Sequence, residues 1–150
     1  MKSAFHLALG LVAVSFVNTA QARLSAGAGY PYGGLMGVQY TNAVNDDHLL
    51  SISAGLIGAA ISYEYILDKD NKHTLGVIAG SEALTSEKGF AALNYHYYSQ
   101  GALQEGWTFG ASVGVRRTDE REYRTDILDI FGTEKVQSKA LIGLHIGYRF

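Results

Sequence analysis

The sequence predicts an all-β chain, an eight-stranded antiparallel up-and-down transmembrane β-barrel, and three observations carry that prediction. Apolar and polar residues alternate with a period of two along almost the whole chain beyond residue 22, the pattern of strands with one apolar face. The alternating segments run to about 9–10 residues and are separated by turn residues, as strands that cross a membrane leave in sequence. The last segment, Leu141 to Phe150, sets Ile142, Leu144, Ile146, Tyr148 and Phe150 against Gly143, His145, Gly147 and Arg149, and stops on an aromatic residue.

The N-terminus reads as a targeting segment. Met1-Lys2-Ser3 supplies a positive start, Ala4 to Val17 is mostly apolar, and Ala20-Gln21-Ala22 matches the small-x-small cleavage pattern. The apolar run is shorter than the ~20 residues of a membrane helix. Cleavage after Ala22 is therefore expected, with residues 1–22 as signal peptide and 23–150 as one barrel domain. Without Lys2 the 12 basic residues fall to 11 and meet 14 acidic ones. That balance argues against nucleic acid as a partner. The chain has no cysteine, which excludes disulfides and thiolate metal sites.

The strands follow in order. Leu24, Ala26, Ala28, Tyr30 and Tyr32 form one apolar face opposite Ser25, Gly27 and Gly29, and Met36, Val38 and Tyr40 oppose Gly37, Gln39 and Thr41. Asn45-Asp46-Asp47 makes a turn. Leu50, Ile52, Ala54 and Leu56 alternate with Ser51, Ser53 and Gly55; Ile61, Tyr63, Tyr65 and Leu67 alternate with Ser62 and Glu64. After the charged turn Asp68 to Lys72, Leu75, Val77 and Ala79 alternate with Thr74, Gly76 and Gly80. Leu93, Tyr95 and Tyr97 face away from Asn94, His96 and Tyr98. Beyond the turn Gln100 to Gly106, Trp107, Phe109, Ala111, Val113 and Val115 face away from Thr108, Gly110, Ser112, Gly114 and Arg116. The closing strand is the eighth.

An even strand number puts both ends of the barrel domain on one side. With the C-terminus in the periplasm, the three turns above are periplasmic. The outer connections are then short at Pro31–Gly34 and Leu56–Ala59, moderate at Ser81–Gly89 and long from Arg117 to Lys135, the asymmetry expected of such barrels. Tyr40, Tyr63, Tyr65, Tyr95, Tyr97, Trp107, Phe109, Tyr148 and Phe150 fall in the periplasmic half, and Tyr30, Tyr32 and Phe90 near the outer rim. These are the two aromatic girdles of a membrane barrel.

Inside, small Gly and Ser residues stand beside a set of larger polar ones. Glu64, Asn94, His96, Arg116, Lys139, His145 and Arg149 are the predicted polar network of the lumen. Charges there must pair, because an unpaired buried charge costs several kcal/mol, and Glu64 is the one acidic residue on the predicted inward face. Eight strands leave no aqueous channel, so a side-chain plug is expected in place of a pore.

The signal peptide, eight alternating strands, enlarged last outer loop and terminal Gly147-Tyr148-Arg149-Phe150 resemble the small outer-membrane barrels of the OmpX/Ail and OmpA-transmembrane-domain type. The resemblance implies a bacterial outer membrane, with its lipid and lipopolysaccharide as surroundings. It also implies a closing strand read by the barrel assembly machinery through Tyr148 and Phe150, and a monomer. The alternatives are a lipid-A-modifying enzyme and a soluble periplasmic β-domain. His96-Tyr97-Tyr98-Ser99 is similar to the His-x-Ser of lipid A deacylases, but an offset of three sends the two side chains to opposite faces of a strand. No catalytic residue, cofactor or metal site is expected. Asp126 and Asp129 are too few for calcium, and His48 and His73, beside turns, are expected to be solvated.

Specific function is expected in the fourth loop. Arg117, Arg121 and Arg124 lie among acidic residues, and Ile127, Leu128, Ile130 and Phe131 follow as an apolar cluster. They are the candidate contacts to lipopolysaccharide phosphates, for which arginine forks are suited, or to an extracellular protein. The other expectation is that strands seven and eight extend as a hairpin whose apolar cluster caps the mouth.

Overall fold

A computed structural model describes residues 22–84, 86–120 and 135–150. It shows eight strands: β1 (Arg23–Gly29), β2 (Gly34–Asn45), β3 (His48–Gly55), β4 (Gly58–Ile66), β5 (His73–Glu82), β6 (Ser86–Tyr98), β7 (Gly106–Glu120) and β8 (Lys135–Arg149). Each pairs antiparallel with its neighbours in the chain, and β8 pairs with β1 to close the barrel. The period-two pattern settles register as well as fold. A slip by one residue would exchange the apolar and polar faces of a strand, and the observed partners, such as Val38↔Ala54 and Leu93↔Val113, keep apolar residues together on the outside.

The connections alternate between two ends. At one end lie Asp46–Asp47, the turn 67–72 and the turn 99–105; at the other lie the β1–β2, β3–β4, β5–β6 and β7–β8 connections. The turn after β4 is held by one side chain: Asp68 accepts hydrogen bonds from the backbone N–H of His73 (2.7 Å) and of Lys72 (3.1 Å). Slight burial raises the Asp68 carboxyl, and those two donors outweigh it and leave it below the usual carboxylate range. The turn 99–105 folds under the barrel. Ala102 is fully buried beside Ala43, Leu49, Ile66 and Tyr98, forming an apolar floor. That cap was not anticipated, because one small apolar residue in a polar turn carries no periodic signal.

Three expectations about the strands are corrected. Tyr30 and Tyr32 do not continue the outward face of β1, because Tyr30–Tyr32 is a 3-10 turn that dives inward. Pro31 restricts φ there, and Gly29, Gly33 and Gly34 take the positive φ values of 111°, 75° and 107° that the reversal requires. Phe90 likewise faces inward and packs with Ile78, Ala92 and Leu141. Of the outer girdle expected at Tyr30, Tyr32 and Phe90, none lies on the outer surface. The β5–β6 connection is also tighter than Ser81–Gly89, since Glu82 already pairs with Ser86. The β7–β8 hairpin extends to Glu120↔Lys135. Arg121, Arg124, Ile127, Leu128, Ile130 and Phe131 lie outside the described residues.

Candidate functional site

Among the described residues, buried polar side chains converge in the barrel interior. Inward parity on β4, β5 and β6 stacks Glu64 beside Thr74, His96 and Tyr98. Glu64 is 1% exposed, and its carboxylate accepts from Ser62 Oγ (3.3 Å), Thr74 Oγ1 (2.6 Å), Tyr98 OH (3.1 Å) and His96 Nδ1 (3.1 Å). Asn94 lies 3.1 Å from the same His96 nitrogen and accepts from Ser112 Oγ at 2.8 Å. A buried carboxylate persists only when its lone pairs are met by donors, and here four donors meet it.

Arg149 does the corresponding work at the closure of the barrel. Fully buried, it donates from Nε to Ser25 Oγ (3.1 Å) and from Nη2 to Thr41 Oγ1 (3.0 Å), and Thr41 in turn meets Ser51 at 2.9 Å. Its guanidinium carbon sits 4.5 Å above the Tyr98 ring, a desolvated cation–π contact. Tyr98 therefore joins the Arg149 group to the Glu64 group. The basic side chain in hydrogen-bond contact with Glu64 is His96, and Tyr98 stands in contact with both the carboxylate and the Arg149 guanidinium. The linked side chains draw on all eight strands, and the inward turn makes a bond of its own, Tyr32 OH meeting Thr108 Oγ1 at 2.6 Å.

Of the predicted lumen residues, Glu64, Asn94, His96, His145 and Arg149 are buried inside. His145 sits edge-on to His96, ring centroids 4.1 Å apart, and Gly110 opposite leaves it room, since a Cβ there would overlap its ring. Arg116 is half-buried near the far rim. Lys139 is a correction: it has the inward register but is exposed, because β7 and β8 rise there beyond the neighbouring strands. Glu82 is a second correction, being an acidic residue only 3% exposed where Glu64 was expected to stand alone. The interior is also less polar than predicted, with Ile78, Phe90 and Leu141 filling its upper half. Tyr32, Gln39, Thr41, Thr74 and Thr108 were missed as interior partners. Inward parity was a usable signal for all of them but Tyr32.

Chemically, the network braces. Within the described residues no hydroxyl is hydrogen-bonded to His96 Nε2, so the pairing of a nucleophile with a base is not assembled there. Nor does any group of three or more His, Cys, Asp or Glu among them have the arrangement to hold a metal ion.

The outer wall is the second feature. Leu24, Val38, Ile61, Val77, Leu93 and Val113 are each about half exposed, and Ile142 and Leu144 are 81% exposed. Apolar surface on this scale is far beyond the isolated patches of a soluble monomer. Aromatics gather outside the end that carries the turn 99–105: Trp107 lies edge-on to Tyr148 (5.5 Å), and Tyr148 to Phe150 (5.3 Å). His48 and His73 were expected in solvent. Both are partly exposed, and in addition His48 packs against Tyr63 and Tyr65, and His73 against Tyr95 and Tyr97 with Nδ1 2.7 Å from the Tyr95 hydroxyl. Arg117, from the fourth-loop set, is exposed on β7. Comparison with family models, curated proteins and solved structures finds no significant match to this chain.

Proposed function

We propose that the chain is an outer-membrane β-barrel with a structural or surface-interaction role, of the OmpX/Ail or OmpA-transmembrane-domain kind, and without enzymatic activity. The observation that carries this reading is the outer wall. Closed strands leave no unpaired edge along most of the barrel, which suits strands that meet lipid, and the side chains they turn outward are apolar. The aromatic ring at one end suits the membrane–water interface. In this reading that end is periplasmic, and the β7–β8 hairpin carries the connection of residues 117–135 outside the cell, where lipopolysaccharide or another protein meets it. The Glu64–Arg149 network supports a filled lumen and a brace in place of a channel.

Fractionation tests the address. The protein expressed in a Gram-negative host is expected in the outer-membrane fraction, migrating on SDS gels at one position unheated and at another after boiling. Recovery only from the soluble periplasm overturns the proposal. Trypsin added to intact cells is expected to cut between Arg117 and Arg124 while the remainder of the barrel survives. Full protection on intact cells, with cleavage after lysis, would reverse the orientation.

A further inference from the structure

Two inward cations stand side by side on the rim of the barrel. Arg116 on β7 is in register with Lys139 on β8, and Phe90 on β6 is in register with Arg116. Ser112 and Leu141, an even number of residues away on the same strands, are buried inside, so Arg116 and Lys139 share the inward face. Residues directly opposite on one face have Cβ atoms about 4.5–5.5 Å apart, and like charges placed there repel.

The neighbouring rows hold no acid. The row below is Ala92, Gly114 and Leu141, and the row above is Thr118 and Gln137. Of the inward acids, Glu64 is bonded lower in the barrel, Glu82 lies on β5 beside Gly34 and Gly58, and Glu120 stands further out, in register with Lys135. The donors of this face also exceed its acceptors. Arg116 Nε and Thr118 Oγ1 are enclosed and have no hydrogen-bond partner among the described residues, and a buried donor left unmet calls for an acceptor from elsewhere.

The place is accessible from above. Phe90↔Arg116 is the last row in which β6 and β7 pair, while β7 and β8 run on together. Arg116 is half-buried and Lys139 exposed. Beneath them Phe90 packs with Ile78 and Leu141, an apolar floor that keeps water from one side and strengthens a charge contact made on it.

We propose that Arg116 and Lys139 form a rim site for a phosphate-type oxyanion, with the Thr118 hydroxyl as a third donor. The guanidinium offers a planar fork and the ammonium a point charge, and a tetrahedral anion has oxygens enough to meet both at once. Side chains at a rim change rotamer rapidly, which lets the enclosed donors turn to the anion. A soluble phosphate ester and the phosphate of a membrane lipid carry the same chemistry. The side of the membrane on which the site opens rests on the orientation proposed above; the site itself rests on the closed barrel.

The test is NMR of the mature barrel in lauryldimethylamine oxide micelles, labelled with 15N at arginine Nε. Inorganic phosphate is added in one arm and diphosphoryl lipid A in another, against sodium chloride of equal ionic strength. The Arg116 Nε–H signal, identified by its loss in Arg116→Gln, is expected to shift and saturate. Lys139→Gln is expected to weaken binding about tenfold, the worth of one charge-assisted hydrogen bond, and Thr118→Val to weaken it less. Lys69→Gln, which removes a cation from the turn at the opposite end, is expected to keep the affinity. Saturation by inorganic phosphate assigns a solute, and saturation by lipid A alone assigns the membrane lipid; both keep the rim site. Silence in both arms, an equal shift with sodium chloride, or unchanged affinity in Lys139→Gln overturns it. Because Lys139 is exposed, its variant is expected to fold, as heat-modifiable migration will show, and the membrane address stands or falls separately by fractionation.

Discussion

Replacing Glu64 with alanine is expected to lower the stability of the refolded barrel by about 3–5 kcal/mol, the range for breaking a buried ionic group by removing one partner. The mechanism is loss of a shared acceptor. Ser62, Thr74, His96 and Tyr98 all donate to this one carboxylate, and its removal leaves buried donors without a partner, each costing about 1–3 kcal/mol before the site relaxes. Glu64→Gln keeps the volume and one oxygen but turns an NH2 group toward donors, so it is expected to fall between alanine and wild type. The measurement is reversible urea unfolding followed by Trp107 fluorescence. Val113→Ala, on the exposed outer face, serves as a control with a smaller effect. An unfolding midpoint for Glu64→Ala equal to wild type would show that the network contributes nothing to stability.

Tyr32→Ala is expected to have the second large effect, again about 3–5 kcal/mol, because it empties a fully buried aromatic site. Tyr32→Phe removes only the hydrogen bond to Thr108 and is expected to cost about 0.5–1.5 kcal/mol. Two inward glycines make room for the ring. A Cβ on Gly27 would lie 2.7 Å from ring carbons of Tyr32, and one on Gly147 would overlap its hydroxyl. Gly147→Ala is therefore expected to destabilise the wild-type barrel and to cost much less in the Tyr32→Ala background. That non-additivity is the sign of direct contact in a double-mutant cycle. Additive losses would mean that glycine is needed at position 147 for some other reason.

The local pattern was legible for most of the barrel and for the middle of its interior. Glu64, Asn94, His96, His145 and Arg149 were assigned inward by parity alone, and the structure buries all five. Parity states which face a side chain takes but not how far along the barrel the wall still stands, and so Lys139 was placed inside although β8 has by then outrun its neighbours. Nor does parity anticipate a break in the strand. Tyr30 and Tyr32 continued the alternation of β1 without fault, yet the Gly29 and Gly33 dihedrals turn that stretch through the wall. Pro31 and the glycine pair Gly33-Gly34 are the local signal of that reversal.

The sequence by itself determined eight strands, their order and the face that most strand residues take, because a strand's period of two is local and survives in any barrel that keeps its apolar side together. Only the tertiary structure decided which inward groups meet. The partners of Arg149 come from β1, β2 and β6, and those of Glu64 from β4, β5 and β6. Such meetings depend on the stagger of the closed barrel, which couples residues more than a hundred positions apart and leaves no trace in any short window of the chain. The turn at Gly29 also ends β1 early, so that β1 pairs with β8 only from Ser25↔Arg149 to Ala28↔Ile146. Neither strand shows that short pairing until the two are side by side.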